Sequence, residues 1–248
     1  MKKIYIGKKK YIFNEISSTM DIANFFIHTG IEEGTVVVAK FQTDGRGSNQ
    51  RKWLSNGNDA LFSIIMKPEI SLMSTLPIIS AFSIYKVLEK FIDTEIKIKW
   101  PNDVLVDGKK ISGVLVENHI KTDNYSIIGI GININSDHKK NNTFIYPSVS
   151  LKELLNEKIQ PLEIVEDVLK SFENIYNEIL IGKLKISNLS DMLYGLNKRV
   201  AFRTNYKSFD RQSENAYYKI ISLNDDGTLE VSDNNGKKIS INASEIIT

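Results

Sequence analysis

The sequence of 248 residues contains no cysteine and only three histidines. The missing cysteines exclude disulfide bonds, thiolate metal sites and cysteine nucleophiles within the chain. His28, His119 and His138 are widely separated, which disfavours a clustered zinc site and a Ser-His-Asp arrangement. The composition therefore excludes cysteine-based catalysis and disfavours zinc enzymes.

Long apolar runs and a large net charge are also missing. No stretch approaches the ~18 apolar residues of a membrane span, and the basic start at residues 1–11 lacks the apolar region of a signal peptide. We therefore predict a cytoplasmic protein without a membrane partner. The net charge of only +2 gives no argument for nucleic-acid binding.

The residues that are present predict helices and strands in mixed order. Thr19 is placed to cap a helix over residues 20–29 that stops at Gly30. Residues 75–92 repeat apolar side chains at spacings of three and four, which predicts an amphipathic helix. Apolar or alternating runs predict strands at residues 35–41, 60–67, 96–100, 104–106, 109–117 and 125–135.

Short connections between these strands favour a mixed, mostly antiparallel sheet. Asp107-Gly108 supplies the positive φ angles of a tight hairpin turn. A helix is predicted from Pro161, and after Gly195 short strands alternate with polar turns, as in a small β-barrel. We therefore divide the chain into domains at residues 1–194 and 195–248.

The loop FQTDGRGSNQRKW, residues 41–53, follows an apolar strand and combines glycines with three cations. Glycine backbone N–H groups approach anions closely, so the loop is either a phosphate cradle or a solvated basic loop. It lacks the Gly-Lys-Ser/Thr end of a Walker loop. Trp53 offers an apolar body or a surface for base stacking.

Three further segments provide polar side chains or glycines at which a ligand could approach the backbone. In KWPNDV, Asp103 suits Mg²⁺ and Lys99 suits a phosphate, although Asn102 and Asp103 equally suit a turn. In KKISG, Gly113 admits a ligand, another backbone or a β-bulge near Lys110. In GIGININ, Gly129 and Gly131 share a bare face that suits a flat ligand or a close-packed helix, and Asn133 continues it.

Together with ISSTM at residues 16–20, these segments in this order resemble the biotin–protein ligases. The motifs cover residues 13–135, and the small barrel after residue 195 fits the family's C-terminal domain. The resemblance implies an α+β fold: a mixed, mostly antiparallel sheet flanked by helices, like that of class II synthetases, and a small C-terminal SH3-like β-barrel.

The resemblance also implies a two-step, ATP-dependent reaction that uses Mg²⁺. The carboxylate of biotin attacks the α-phosphate of ATP, which gives biotinyl-AMP and pyrophosphate. A lysine of a biotin carboxyl carrier protein domain in a biotin-dependent carboxylase then takes the biotinyl group. Because a carboxylate is already an anion at pH 7, the first step needs no general base, only charge neutralisation and alignment.

The resemblance assigns residue roles to matching positions. The implied catalytic residues are Arg46, Lys110 and Asp103, of which Asp103 is also the candidate Mg²⁺ ligand and helps to deprotonate the acceptor lysine. The implied biotin-binding residues are Ser18, Thr19, Met20, Gln42, Gly45, Arg46, Gly47, Ser48, Lys110, Gly113, Leu115, Gly129 and Gly131. The implied ATP-binding residues are Arg46, Arg51, Trp53, Lys99, Asn102 and Asn133.

Three positions depart from the family pattern. Ser48 replaces a common arginine, Gln50 a common glycine and Met20 a common asparagine. The missing cation at Ser48 predicts faster escape of biotinyl-AMP. Gly45, Gly47 and Gly57 flank polar residues, which suits a loop that closes over ligand.

Only residues 1–12 precede the first motif, so we expect no N-terminal DNA-binding domain, no repressor function and no DNA partner. The sequence leaves a monomer or a homodimer open. One alternative is a lipoate– or octanoate–protein ligase of the same superfamily. Another is a nucleic-acid-binding module that uses the basic loop and the barrel.

Overall fold

The computed structural model describes residues 3–48, 51–54, 58–120, 124–137, 147–202 and 216–243. The strands of the first region are β1 (Lys10–Ile16), β2 (Val36–Gln42), β3 (Ala60–Met66), β4 (Ile96–Lys99), β5 (Asp103–Val106), β6 (Lys109–His119) and β7 (Tyr125–Ile132). The helices are α1 (Thr19–Ile27), α2 (Ile70–Met73), α3 (Leu76–Leu88), α4 (Leu151–Leu155) and α5 (Pro161–Leu180). A 3-10 helix at Ile186–Met192 precedes β8 (Arg199–Phe202), β9 (Ala216–Leu223), β10 (Leu229–Ser232) and β11 (Lys238–Ile241).

Strands β1 to β7 form one sheet in the order β1-β2-β3-β7-β6-β5-β4. β1 runs parallel to β2, and the other neighbours in this sheet are antiparallel. The last four strands form a second, antiparallel sheet in the order β11-β10-β9-β8. The predicted mixed, mostly antiparallel sheet is confirmed, and the second sheet is consistent with an SH3-like domain. The boundary at residue 195 stays a prediction.

The central strands are buried on both faces, which explains their nearly continuous apolar sequences. Every residue of β3 and β7 is buried. One face packs under α3 and α5 in the larger core cluster, whereas α1 covers Val37, Ile65 and Ile127 on the other face. The α1 face carries the smaller apolar cluster, which leaves space there for a cleft. No helix in the described part of the chain is both long and apolar enough to cross a membrane.

Most predicted elements are present. The helix predicted over residues 75–92 spans Leu76–Leu88, and most of its residues are buried, so it lacks the wide polar face of the predicted amphipathic helix. Two further differences lie near the N-terminus. The helix cap is Ser18, whose hydroxyl accepts a hydrogen bond from the Met20 N–H at 3.3 Å, so the prediction of Thr19 as the cap is wrong. Thr19 is instead the first helical residue, and α1 ends at Ile27, before Gly30. β1 was not predicted because its burial shows no clear alternation.

The predicted hairpin is confirmed and contains an additional irregularity. Asp107 and Gly108 have φ angles of 47° and 73°, which the tight turn requires. Leu105 pairs with Lys110 and Val104 with Ser112, so Ile111 is an extra residue in β6. Such a bulge re-aims neighbouring side chains, and it brings the ammonium of Lys110 to the face occupied by Gly113.

Candidate active site

A cleft on the α1 face of the larger sheet brings together residues that lie far apart in the sequence. Its lining includes Ser18, Thr19, Met20, Gln42, Arg46, Gly47, Ser48, Trp53, Asn102, Asp103, Lys110, Gly113, Leu115, Gly129 and Gly131, all of which the sequence singled out. Leu61, Val114 and Ile130 also line it and were not predicted. Gln50, Gly57 and His138 lie outside the described residues.

The polar end of the cleft lies at the start of α1. Ser18, Thr19 and Gln42 are at most 9% exposed. The backbone N–H of Thr19 donates to Gln42 Oε1 at 2.7 Å, and the hydroxyl of Ser63 donates to that of Thr19 at 2.8 Å. Ser63 was missed by the sequence analysis, although it is the single polar residue in the apolar run of β3.

Three glycines form a wall that the chain's own side chains cover. A Cβ at Gly131 would lie 2.4 Å from the indole of Trp53, and a Cβ at Gly129 would lie 2.6 Å from the sulfur of Met20. A Cβ at Gly113 would lie 2.9 Å from Lys110 Nζ. The Trp53 ring covers Gly131, and Met20 of helix α1 covers Gly129. The prediction of a flat ligand on this face stays a prediction.

The basic loop folds back on itself in a short antiparallel arrangement. The Trp53 N–H donates to the Gly45 carbonyl at 2.8 Å, and the Gly47 N–H donates to the Arg51 carbonyl at 2.7 Å. A Cβ at Gly45 would lie 2.6 Å from the Trp53 carbonyl oxygen, so this close approach requires glycine. Gly45 therefore shapes the loop and does not itself line the cleft.

Ser48, where the family commonly has arginine, is bonded to a cation of the same loop. Arg51 donates from Nη2 to the Ser48 hydroxyl at 2.8 Å and from Nε to the Ser48 carbonyl at 3.2 Å. On the outer side of the loop, the hydrogen bond from Lys52 to Asp44 and the charge of Lys52 hold the pKa of the Asp44 carboxyl below its ordinary value. Those two groups are exposed and do not line the cleft.

Lys110 projects from the β6 bulge between a carboxylate and an aromatic ring. Its Nζ lies 2.6 Å from Asp103 Oδ1 and 5.7 Å from the centroid of the Trp53 ring. The second distance is within the range of a cation–π contact. Both partners of the ion pair are largely buried, with side-chain exposures of 27% and 19%.

Arg46 is bound to two carboxylates at the rim of the cleft. Its Nη2 lies 3.1 Å from Asp21 Oδ1, and its Nη1 lies 2.9 Å from Glu117 Oε1. Neither acidic residue was predicted, because α1 and β6 are remote from the loop in sequence. The two carboxylates therefore more than offset the charge of the guanidinium.

Of the other residues predicted to bind ATP, two line a second cavity and two form hydrogen bonds to the backbone around the cleft. Arg51 and Lys99 line a neighbouring cavity of about 170 Å³, which shares Asp103 and Lys110 with the cleft. Its other lining residues include Tyr194, which the sequence analysis missed. This cavity concentrates three cations around one carboxylate, which suits a polyanionic group.

The two asparagines brace the strands around the bulge. Asn102 Nδ2 donates to the Val114 carbonyl at 2.6 Å. Asn133, only 6% exposed, donates from Nδ2 to the carbonyls of Lys110 and Val149 at 3.3 and 3.2 Å. In this arrangement the amide of Asn133 fixes the backbone of Lys110.

Replacing Asn133 by alanine is expected to lower the free energy of unfolding by about 1–3 kcal/mol. The buried Val149 carbonyl loses the Asn133 donor, and the Lys110 carbonyl keeps only the Val149 N–H. Asn133→Asp keeps the side-chain shape but loses both donated hydrogen bonds, so a comparable loss is expected. Urea denaturation of both variants measures the effect. Full stability in both would contradict the bracing role.

Comparison with known proteins identifies the family. The sequence model of the Biotin/lipoate A/B protein ligase family matches residues 12–135. The bifunctional ligase/repressor BirA of Bacillus subtilis is 30% identical over 249 residues, which cover 96% of this chain and 74% of that protein. The chain therefore belongs to the biotin/lipoate A/B protein ligase family.

Solved structures and a further relative agree with this membership. Biotin protein ligase from Aquifex aeolicus in complex with biotin and ATP matches with a TM-score of 0.82 and 26% identity, over 97% of this chain and 98% of that chain. The biotin–[acetyl-CoA-carboxylase] ligase of Paracoccus denitrificans is 27% identical over 110 residues, 43% of this chain and 46% of that protein. The predicted resemblance to biotin–protein ligases, the α+β fold and the prediction of a ligase enzyme are confirmed.

Proposed function

We propose that this chain activates biotin with ATP and transfers it to a lysine of a biotin carboxyl carrier protein domain. The observation that carries the proposal is the lining of one glycine-walled cleft by Arg46 and Lys110, beside a second cationic cavity. The Aquifex relative, which has biotin and ATP bound, supports the same ligands here. The Aquifex and Paracoccus relatives are both named biotin ligases, which favours biotin over lipoate or octanoate.

The buried polar end of the cleft suits the neutral ureido ring of biotin. Ser18, Thr19 and Gln42 provide hydroxyl and amide groups without a net charge. Such groups orient a neutral ring by hydrogen bonds and avoid burying an unpaired charge. The carboxylate end of biotin then extends toward Arg46 and Lys110.

Binding requires the side chains that cover the glycine wall to move. The cleft encloses a cavity of about 40 Å³, whereas pockets for small ligands typically measure about 300–1,000 Å³. Trp53 lies over Gly131 with its indole N–H buried and without a hydrogen-bond partner in the described part of the chain. Because a buried unpaired donor is costly, displacement of the indole by biotin also relieves that cost.

The first step forms a bond between a biotin carboxylate oxygen and the α-phosphorus of ATP, and it breaks the bond to pyrophosphate. Arg46 and Lys110 neutralise the two anions that meet, and the fixed cleft aligns them for displacement. Arg51 and Lys99 line the neighbouring cavity, and we propose that they bind the departing pyrophosphate there. Cations on both sides of the α-phosphate therefore stabilise the negative charge that develops on the departing pyrophosphate.

Mg²⁺ fits this site as an ion that arrives with the nucleotide. No group of three or more histidine, aspartate or glutamate ligands occurs in the described ranges. Asp103 offers a single carboxylate, which suits an ion that takes most of its ligands from phosphates and water. Bound there, the ion would supply charge neutralisation at the phosphates.

In the second step, the acceptor lysine of the carrier domain attacks the acyl carbon of biotinyl-AMP and AMP leaves. The attacking amine must first lose a proton. Asp103, paired with Lys110 at 2.6 Å, is the one carboxylate among the described residues that line the cleft, and we propose that it accepts this proton. An Asp103→Asn variant that transfers biotin normally from supplied biotinyl-AMP would exclude this role.

The proposed function is tested by ATP–pyrophosphate exchange. We expect exchange that depends on biotin and none with lipoate or octanoate in its place. Exchange with lipoate alone would identify a lipoate ligase, and salt-sensitive binding of DNA or RNA without exchange would favour the nucleic-acid alternative. The absence of repressor function, the lack of a DNA partner, the cytoplasmic location and a monomeric or homodimeric state stay predictions.

Replacing Ser48 by arginine is expected to slow the escape of biotinyl-AMP, by about tenfold if one charge-assisted contact to the adenylate is restored. In the natural protein, Arg51 is already bonded to Ser48 and lines the neighbouring cavity, so the rim lacks a cation at this position. The dissociation rate of pre-formed biotinyl-AMP, measured by stopped flow, checks this. Equal rates in the natural protein and the variant would contradict the assignment.

A further inference from the structure

The guanidinium of Arg46 is held by two carboxylates from separate elements of the fold. Asp21 lies in the first turn of α1, and Glu117 lies on β6. Arg46 Nη2 contacts Asp21 at 3.1 Å and also donates to Glu117 Oε2 at 3.3 Å, while Nη1 contacts Glu117 Oε1 at 2.9 Å. We call Asp21 and Glu117 the carboxylate clamp.

The carboxylate clamp lies beside the substrate cleft. Side chains two residues apart on a strand share a face, so Glu117 lies on the same face of β6 as Gly113 and Leu115, which line the cleft. Asp21 follows Met20, another lining residue. The side chains of Arg46, Asp21 and Glu117 are 37%, 47% and 32% exposed, so they form a solvent-accessible rim.

The net negative charge of Arg46 and its carboxylate clamp repels the anionic substrate that Arg46 is proposed to bind. One guanidinium with two carboxylates has a net charge of −1, and the arriving carboxylate of biotin adds a further negative charge. Arginine presents its donors in a planar fork, and the clamp already occupies Nη1 and Nη2. The clamp contacts use three of the five N–H donors of the guanidinium. A substrate carboxylate therefore either displaces a clamp carboxylate from Arg46 or binds the remaining donors beside two anions.

We propose that the carboxylate clamp determines the affinity for the anionic end of the substrate by competing with it for Arg46. This inference rests on the proposed function of the cleft. It makes Asp21 and Glu117 specificity-determining residues, since they penalise an anionic ligand and leave a neutral ligand of the same shape unaffected. The same exchange sets the strength with which Arg46 holds the ligand before adenylation.

The test compares biotin with biotinol, in which a neutral alcohol replaces the carboxylate, by calorimetric titration. In Asp21→Asn, Glu117→Gln and the double variant, we expect biotin affinity to rise about three- to tenfold for each charge removed, the scale of one Coulombic contact near a protein surface. Biotinol affinity should not change. Asp44→Asn is the matched control, because it removes an anion from the same loop that forms an ion pair with Lys52, while the charge of Arg46 affects it less than that of Lys52.

Three outcomes overturn the inference. Unchanged biotin affinity would show that the clamp does not compete, and weaker binding would show that it supports Arg46 instead. An equal gain for biotinol would show that charge is not the cause. Failure of the proposed function is recognised separately, since the natural protein would then not bind biotin at all.

Discussion

Replacing Lys110 by alanine is expected to lower biotin-dependent pyrophosphate exchange by about 10²–10³-fold, the effect typical of removing one group that stabilises developing charge. Lys110 is directed into the cleft by the β6 bulge and lies between Asp103 and the Trp53 ring. It borders both the substrate cleft and the neighbouring cavity. Its loss removes positive charge where the carboxylate and the α-phosphate meet.

The neighbouring Lys109 provides a matched control. It begins β6 but is exposed and lines neither cavity. Lys109→Ala should keep exchange within about twofold, as expected for an exposed side chain that lines neither cavity. Thermal unfolding of both variants separates a loss of catalysis from a loss of fold. Normal exchange in Lys110→Ala would remove Lys110 from the adenylation step.

Replacing Gly131 by alanine is expected to weaken biotin binding by about 10²-fold. The added methyl would lie 2.4 Å from the Trp53 indole and would occupy the wall against which biotin is proposed to pack. Overpacking of this kind typically costs about 1–3 kcal/mol. Calorimetric titration with biotin measures the loss.

The control must separate filling of the cleft from weakening of the sheet. Ile128→Val removes a methyl group from the opposite face of the same strand, where Ile128 belongs to the larger core. It should lower stability by about 0.5–1.5 kcal/mol and leave biotin affinity unchanged. Biotin affinity that falls equally in both variants would argue that Gly131 acts through stability alone.

The sequence predicts those parts of the fold that depend on neighbouring residues alone. The apolar runs of β3 and β7 are buried on both faces, so their sequences identify them as central strands. The pair Asp107-Gly108 predicts a tight hairpin turn, because few residue pairs tolerate two consecutive positive φ angles. The glycines at 129 and 131 predict a bare face since side chains alternate along a strand.

Contacts between remote segments could not be predicted in the same way. β1 is an edge strand whose Tyr11 and Ile12 are 38% and 51% exposed, so it has no clean apolar pattern. The ion pair between Arg46 and Glu117 joins residues 71 positions apart. Such a pair depends on the register of the complete sheet, and single-sequence periodicity contains no information about it. For the same reason, the position of Trp53 over Gly131 emerged only from the structure.

The strand order also has a consequence for synthesis of the chain. β3 pairs with β7, and Ile132 at the end of β7 lies 66 positions after Met66 at the end of β3. Because the ribosome adds about 5–20 residues per second, roughly 3–13 s pass between the synthesis of β3 and that of the strand that covers its edge. A largely apolar strand with one uncovered edge is prone to pair with other chains. The nascent chain is therefore most exposed to aggregation, and most in need of chaperones, before the glycine-bearing strand emerges.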